Sequence, residues 1–478
     1  MDKETSTRGT GWTFLAALVA VFMVAIDTLV VTTALPVIQQ RLNADLEGLE
    51  WTVNAYTLTF AVFLLSGAAL GDRYGRRLVF ALAMVVFIGA SAAAALSTNI
   101  ETLIAARAVQ GLGAAAILPL TLTLLVSVVK PEQRGHALGL WGAMVGLGIA
   151  LGPVIGGSIT EYWSWQWIFW VNVPIGILLL PVMALVRESR GGAGRLDPIG
   201  TVLVTVGLFG IVFALVRGNG DGWTSGPVLT GLIAGGALVL LFLLWEARAK
   251  APMVPLGMFR HRGFSLTMIA TIIMPFGVFG AIFLTTQYLQ TVLGYSPLEA
   301  GVRTLPWTAV PMIAAPISGR LMDKIGGKPL VLLGLVLQAI GIGWLALVAE
   351  PDLAYGNLVL PFILTGLGLG IFLAPIAGLA IGFVPQVLQG VASGTSNAIR
   401  QLGTVLGVSV AGAILGAYGG FESAQTFTDG MVASFTVGAI ALAVGALVAL
   451  AIPRHVEGAP AHPAKEARPA ERASAVAS

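Results

Sequence analysis

The stretch "FMVAIDTLVVTTALP" sets a single carboxylate, Asp27, in an otherwise apolar and hydroxyl-bearing run. Insertion scales put an Asp at the centre of a membrane helix at roughly 2.5–3.5 kcal/mol, so its presence calls for a partner or a function. The candidate partner is Arg107, the basic residue of "RAVQGLGAA". Charges buried in a membrane face the interior of a helix bundle and pair. Burial disfavours the carboxylate and a nearby guanidinium favours it. A bundle that changes the balance as it rocks changes the proton affinity of Asp27, which is what coupled exchange of a proton for another solute requires. Arg107 is expected about six residues, roughly 9 Å, below one end of its helix, and Asp27 some fifteen residues, roughly 22 Å, above the opposite end of its own. The two then share a depth.

The elements that must hold them are membrane helices. Of 478 residues, 56% are hydrophobic and 10% charged, against about 25% charged in soluble domains. Apolar windows of about 20 residues recur along nearly the whole chain, each enough to cross about 30 Å of hydrocarbon. No period-two alternation of β-barrel type is present. Fourteen helices are expected near 12–35, 51–71, 78–97, 102–127, 137–160, 166–186, 199–217, 227–246, 263–290, 298–321, 329–349, 357–383, 392–416 and 430–452. The first is too long for a signal-peptide core and carries Asp27, so it is expected to be retained. Asp27 is the only acid that these boundaries place deep inside a helix; Glu246 and Glu299 fall at helix ends.

The connections after helices 2, 4, 6, 8 and 10, with the N-terminus and the tail, hold 21 of the 26 Lys and Arg. That excess marks the cytoplasmic side and places both termini there. The parts are a cytoplasmic N-terminus (1–11), a six-helix half (12–186), two extra helices (199–246), a second six-helix half (263–452) and a Pro-, Ala- and charge-rich tail (453–478) that cannot bury a core. A repeat supports the two halves: "LGDRYGRR" from Leu70 returns 251 residues later as "LMDKIGGK". Two similar membrane halves are the architecture of many secondary transporters.

These features resemble the major facilitator superfamily, in particular its fourteen-helix drug:proton antiporter branch. "AALGDRYGRR" is similar to the superfamily's loop signature, with Ala68 in place of its leading Gly. "RAVQGLGAA" is similar to the fourth-helix signature, and Gly139, Gly148, Gly152, Pro153, Gly156 and Gly157 to the fifth-helix antiporter signature. "IDTLVVTTALP", "WQWIFWVNVPIG" and "GYSPLEAGVRTLP" resemble the fourteen-helix branch, although Gln166 stands where that branch usually has Arg.

The resemblance implies a proton-coupled efflux antiporter for amphipathic drugs or antibiotics in a bacterial cytoplasmic membrane. Asp27 and Arg107 would couple protons. Asp72, Arg73, Gly75 and Arg76, with Asp323 and Lys324 of the repeat, would form a cytoplasmic gate. Gly148, Gly152, Pro153, Gly156 and Gly157 would set antiport by sealing the fifth helix. Neutral polar and aromatic residues of the spans, Asn54, Tyr56, Gln110, Trp141, Gln287, Gln290 and Trp307, are candidates for an apolar substrate cavity with scattered hydrogen-bonding groups. A single buried acid favours monovalent cations, zwitterions or neutral lipophiles as substrates. Arg303 and Arg400 stay unassigned.

Other classes fit less well. There is no cysteine, no phosphate loop and no nucleophile–base pair or metal-ligand cluster, so no enzyme activity, catalytic residue, metal or cofactor is expected. The expected partners are a lipophilic solute, protons and lipid, without nucleic acid, and the expected state is a monomer. A proton symporter for a small metabolite and a non-transporting membrane sensor that kept the fold remain as alternatives.

Overall fold

The computed structural model describes residues 2–129, 134–186, 188–189, 197–250 and 252–453. Among these residues every regular element is helical. The N-terminal set comprises α1 (Asp2–Leu42), α2 (Leu46–Tyr74), α3 (Arg76–Ala95), α4 (Ile100–Ser127), α5 (Arg134–Tyr162), α6 (Trp167–Trp170) and α7 (Asn172–Met183). A hairpin of α8 (Pro198–Asp221) and α9 (Gly226–Glu246) follows. The C-terminal set comprises α10 (Arg262–Gln287), α11 (Pro297–Arg303), α12 (Leu305–Thr308), α13 (Val310–Ile325), α14 (Gly327–Val348), α15 (Gly356–Gly382), α16 (Gln389–Tyr418) and α17 (Ala424–Leu450). The expected tail at 453–478 lies, apart from its first residue, outside the described residues.

Twelve of the described helices are long and apolar enough to cross a membrane. The other two expected crossings fall on interrupted segments. Residues 166–186 split into α6 and α7, and residues 298–321 split into α11, α12 and α13. Pro306 and Pro311 head the last two pieces, where a residue without an N–H breaks the helical ladder. Helix starts are capped by short polar side chains: Asp45 accepts from Gly48 N at 2.8 Å and Asn99 from Thr102 N at 2.9 Å. The two copies of the repeated loop share one turn, because Gly75 and Gly326 both take positive φ (114° and 81°). That region is open to glycine.

The two sets also repeat in packing. α1 lies along α5 as α10 lies along α16, and α4 sits between α2 and α3 as α15 sits between α13 and α14. Glycines make these approaches possible: Gly113 of α4 rests on Ala83 and Phe87 of α3, and Gly368 of α15 on Gly334 and Gln338 of α14. The exterior is apolar. α9 turns Ile233, Leu240, Leu241 and Leu244 outwards, and backbone polarity is satisfied within helices, as a lipid environment demands.

Five hydrogen bonds join the N-terminal and C-terminal sets among the described residues, and all lie in the half of the bundle away from the Asp72–Arg77 loop. Asn54 donates to Ser409 (2.9 Å), Gln290 to the Thr33 carbonyl (2.8 Å) and Thr308 to the Ala150 carbonyl (3.3 Å). Glu161 accepts from Ser296 Oγ (2.6 Å) and Leu298 N (2.9 Å). On that side the sets are closed upon each other. The α8–α9 hairpin straddles one of the two seams: Arg217 pairs with Glu47 of α2 at 3.1 Å, and Asn219 donates to the Ala413 carbonyl of α16.

Candidate functional site

Asp27 is fully buried on α1, and Arg107 comes to it from α4, with Nη1 2.5 Å from Asp27 Oδ2. The pair sits inside a larger network. Gln110, one turn from Arg107, accepts from its Nη1 at 2.6 Å and donates to Asp27 Oδ1 and Ser91 Oγ, both at 2.8 Å. Asn172, at the start of α7, donates to Asp27 Oδ1 at 3.1 Å. Arg107 Nε donates to the Thr52 carbonyl of α2 at 3.3 Å, and the guanidinium lies over the Tyr56 ring at 4.1 Å. One carboxylate thus receives hydrogen bonds from α4 and α7 while its cation is held by α2. In a water-poor interior such charge-assisted bonds are strong, and a missing member is expensive. Any rotation of α1, α2 or α4 relative to the others changes what stabilises the charge on Asp27.

The helix that carries Asp27 is seated by the fifth-helix glycines. A Cβ at Gly148 would stand 2.6 Å from Ala25 Cβ and 3.0 Å from Ile26 N; one at Gly152 would stand 3.1 Å from Leu29 Cβ, and one at Gly156 2.6 Å from the Val30 carbonyl. These three residues therefore set the position of the backbone on both sides of Asp27. Pro153 and Gly157 face the other way, where Gly301 backs onto Pro153 and Gly157 onto Pro297 and Leu298 of α11. Gly148→Val should push α1 off α5 and abolish transport, with a loss of thermal stability of about 1–3 kcal/mol as in overpacked cores. Melting of the purified variant, set beside Gly139→Val as a control that meets nothing within 4 Å, checks this.

The seven residues expected around a substrate cavity divide by their contacts. Tyr56 and Gln110 belong to the Asp27 network. Asn54 and Gln290 bridge the two sets, Gln290 from a π-helical turn (Tyr288–Val292) that ends α10. Trp141 donates to Thr121 at 3.1 Å, Gln287 donates to its own helix at the Phe283 carbonyl (3.2 Å), and Trp307 packs on Phe362 at 5.4 Å between ring centroids. In the loop, Asp72 pairs with Arg76 at 2.8 Å within one turn, Arg73 lies over Tyr74, and Glu188 accepts from Arg77 N at 3.0 Å. Asp323 and Lys324 are exposed in the last turn of α13.

Three buried polar residues lay outside the sequence expectations, two of them in the network. Ser91 is one small residue in an Ala-rich helix, with nothing to single it out. Asn172 carried a signal, the lone amide of "WIFWVNVPIG". Glu50 falls just before the expected 51–71 helix, but capping by Asp45 starts α2 at Leu46 and draws Glu50 into the bundle, 1% exposed. Asp27 is therefore not the only acid buried among the helices.

The network has no copy in the C-terminal set. Gly111 backs onto the Tyr56 carbonyl and Gly366 onto the Trp307 carbonyl, so Trp307 stands where Tyr56 stands, 251 residues on. One turn before each glycine, Phe362 replaces Arg107. The cation over a ring becomes a ring on a ring, and the charge machinery resides in the N-terminal set alone.

Two packed helical sets, an apolar exterior and a buried ion network between helices define a multi-pass membrane transporter. The profile of the Major Facilitator Superfamily matches residues 17–408 and 267–477, and the chain belongs to that superfamily. It is 36% identical over 410 residues to multidrug resistance protein Stp of Mycobacterium tuberculosis (strain CDC 1551 / Oshkosh), covering 85% of this chain and 76% of that one. It is 37% identical over 415 residues to the tetracenomycin C resistance and export protein of Streptomyces glaucescens (85% and 76%), and 35% identical over 454 residues to a puromycin resistance protein of Streptomyces alboniger (92% and 90%). The fold is shared with the crystal structure of a D-xylose–proton symporter, at a TM-score of 0.67 and 15% identity over 93% of this chain and 98% of that one.

Proposed function

We propose that this transporter is a proton-coupled antiporter of the bacterial cytoplasmic membrane that exports amphipathic compounds, antibiotics among them, by alternating access. The observation that carries the reading is the Asp27–Arg107–Gln110 network: a titratable acid, fully buried, held by a guanidinium and by amide donors from α4 and α7. The resistance and export functions of the relatives support the direction of transport. The chain crosses fourteen times, with α6–α7 and α11–α13 as the interrupted crossings and both termini inside, as the distribution of Lys and Arg supports. The closed half of the bundle is then its outer half, and the conformation is one with the outside shut. Protons arriving from outside neutralise Asp27 as substrate leaves; inward release recharges it. Each elementary charge moved inward gains about 2.3 kcal/mol per 100 mV.

Expression in a pump-deficient bacterial host tests this, with puromycin and the lipophilic cation ethidium as first probes. Raised resistance and uncoupler-sensitive ethidium expulsion are expected. Proton-driven accumulation of a probe instead of expulsion would favour a symporter and overturn the export reading. The loop pair adds a prediction. Asp72 and Arg76 are partly exposed, so their bridge contributes under about 1 kcal/mol to stability. Asp72→Asn should leave membrane levels intact while lowering efflux, read as ethidium loss per unit of inserted protein.

A further inference from the structure

Glu50 has no role in the network described above, and its surroundings are unusual. It lies on α2 at the seam with α16, 1% exposed, and its carboxyl occupies the space that a side chain at Gly412 would fill. Oε2 has no hydrogen-bond partner, and no cation pairs with it among the described residues. One turn deeper on the same helix face, Asn54 donates to Ser409 across the same seam, and its own Oδ1 is also without a partner. Residues four apart are neighbours on a helix. Two acceptors facing one seam lack a donor, which a carboxylic acid has and a carboxylate lacks.

The charged groups around it offer no substitute. On α2 these are Asp45 and Glu47, both acids, with Arg107 of α4 engaged by Asp27 and Gln110. On α8, Arg217 is held by Glu47 and Asp221. α16 carries no charge but Arg400, three turns away. Glu101 of α4 and Arg41 of α1 are at helix ends, and the ionisable residues of α3 are at its far end. Nor is the acid needed for packing. The symmetry-related seam, between α5 and α11, closes on Gly157 and Gly301 against backbone alone, and Gly301 is the residue 251 positions after Glu50.

We propose that Glu50 is a proton-operated latch on the outer gate: the α2–α16 seam closes when the Glu50 carboxyl carries a proton and parts when it is ionised. This rests on the orientation and alternating access of the preceding section, but not on antiport. An ionised carboxylate drawn from water into a site without a cation pays a prohibitive desolvation cost, whereas the neutral acid can donate to Asn54 Oδ1. The proton joins a carboxylate oxygen from outside water and returns to outside water when the seam reopens. None crosses the membrane through Glu50, so the latch adds an external acid requirement for closure without changing the number of protons exchanged per substrate.

The chain contains no cysteine, so spin labels on Gln40→Cys at the outer end of α1 and Tyr418→Cys at that of α16 report the gate directly by pulsed distance measurements on the purified full chain, without substrate. The native background should show a long-distance population that grows from acid to mildly alkaline buffer. The part of that shift that survives in an Asp27→Asn background, where the coupling acid no longer titrates, belongs to the latch. Adding Glu50→Gln to that background, or the apolar Glu50→Leu should the amide variant fail to insert, should abolish it and keep the distance short throughout, whereas Glu50→Asp should keep it. An unchanged pH profile when Glu50→Gln is added, or no pH-dependent opening in Asp27→Asn with Glu50 intact, overturns the proposal. A result in favour would stand even if transport proved to be symport.

Discussion

Asp27→Asn is expected to abolish proton-driven, uphill export while downhill exchange of substrate for substrate continues. The amide preserves the size of the side chain and its Oδ1 acceptor for Gln110 and Asn172, now 2.8 and 3.1 Å from it, while its Nδ2 faces Arg107 donor to donor, so some loss of stability accompanies the loss of coupling. What is lost is the titratable oxygen 2.5 Å from Arg107. Coupling needs a group that is charged in one access state and neutral in the other; an amide is neutral in both. The comparison is made in proteoliposomes, where an imposed pH gradient should accelerate substrate flux in the native protein and leave the variant at its gradient-free rate. Counterflow of labelled against unlabelled substrate shows that the binding site survives.

Arg107→Ala is expected to be the most damaging single substitution for stability. It removes the cation paired with Asp27, the donor to Gln110 Oε1, the bond to the Thr52 carbonyl and the cation over the Tyr56 ring. Breaking a buried pair by deleting one partner costs about 3–5 kcal/mol because the other charge is left uncompensated. Arg107→Lys keeps the charge but cannot serve carboxylate, amide and carbonyl with one planar fork, so an intermediate loss is expected. The double variant Asp27→Asn/Arg107→Gln carries neither charge and should melt above Arg107→Ala. Thermal unfolding of the three purified proteins, followed by tryptophan fluorescence, gives the order. A double variant no more stable than Arg107→Ala would mean that the network is held by packing and not by charge compensation.

Much of this arrangement was legible in the sequence because lipid makes the rules strict. A span must be apolar over about 20 residues, and a buried acid must find a partner. Helix depth alone placed Asp27 and Arg107 at one level, and the structure brings them together. The repeated glycine turn at Gly75 and Gly326 likewise shows in both sequence and backbone. What sequence could not supply was azimuth. Gln110 and Trp141 are both polar-capable residues in apolar spans, yet Gln110 turns into the ion network and Trp141 towards Thr121, a difference of rotation about the helix axis that composition does not encode. Helix starts were the other weakness. Placing α2 at 51 and not at Leu46 hid Glu50, although Asp45 as a capping residue was there to be read. Asn172 went unassigned for a related reason, since α7 begins at that residue after the short α6, and Pro174 in its first turn is the one sign of the break.

The one-sidedness of the network bears on mechanism. In the C-terminal set Trp307 and Phe362 pack against each other, their rings tilted, where Tyr56 and Arg107 meet in the N-terminal set. The proposed coupling therefore rests on the N-terminal set, while the buried Trp307–Phe362 pair fills the corresponding place in the C-terminal set by packing.

The central claim is that Asp27 holds a proton that substrate binding displaces. Proton release by the purified transporter in weakly buffered detergent solution tests it most directly, using the compound to which expression confers the greatest resistance. The native protein should release protons on addition of that compound, and Asp27→Asn should release none. No release from the native protein, or equal release from Asp27→Asn, would contradict the assignment of coupling to this site.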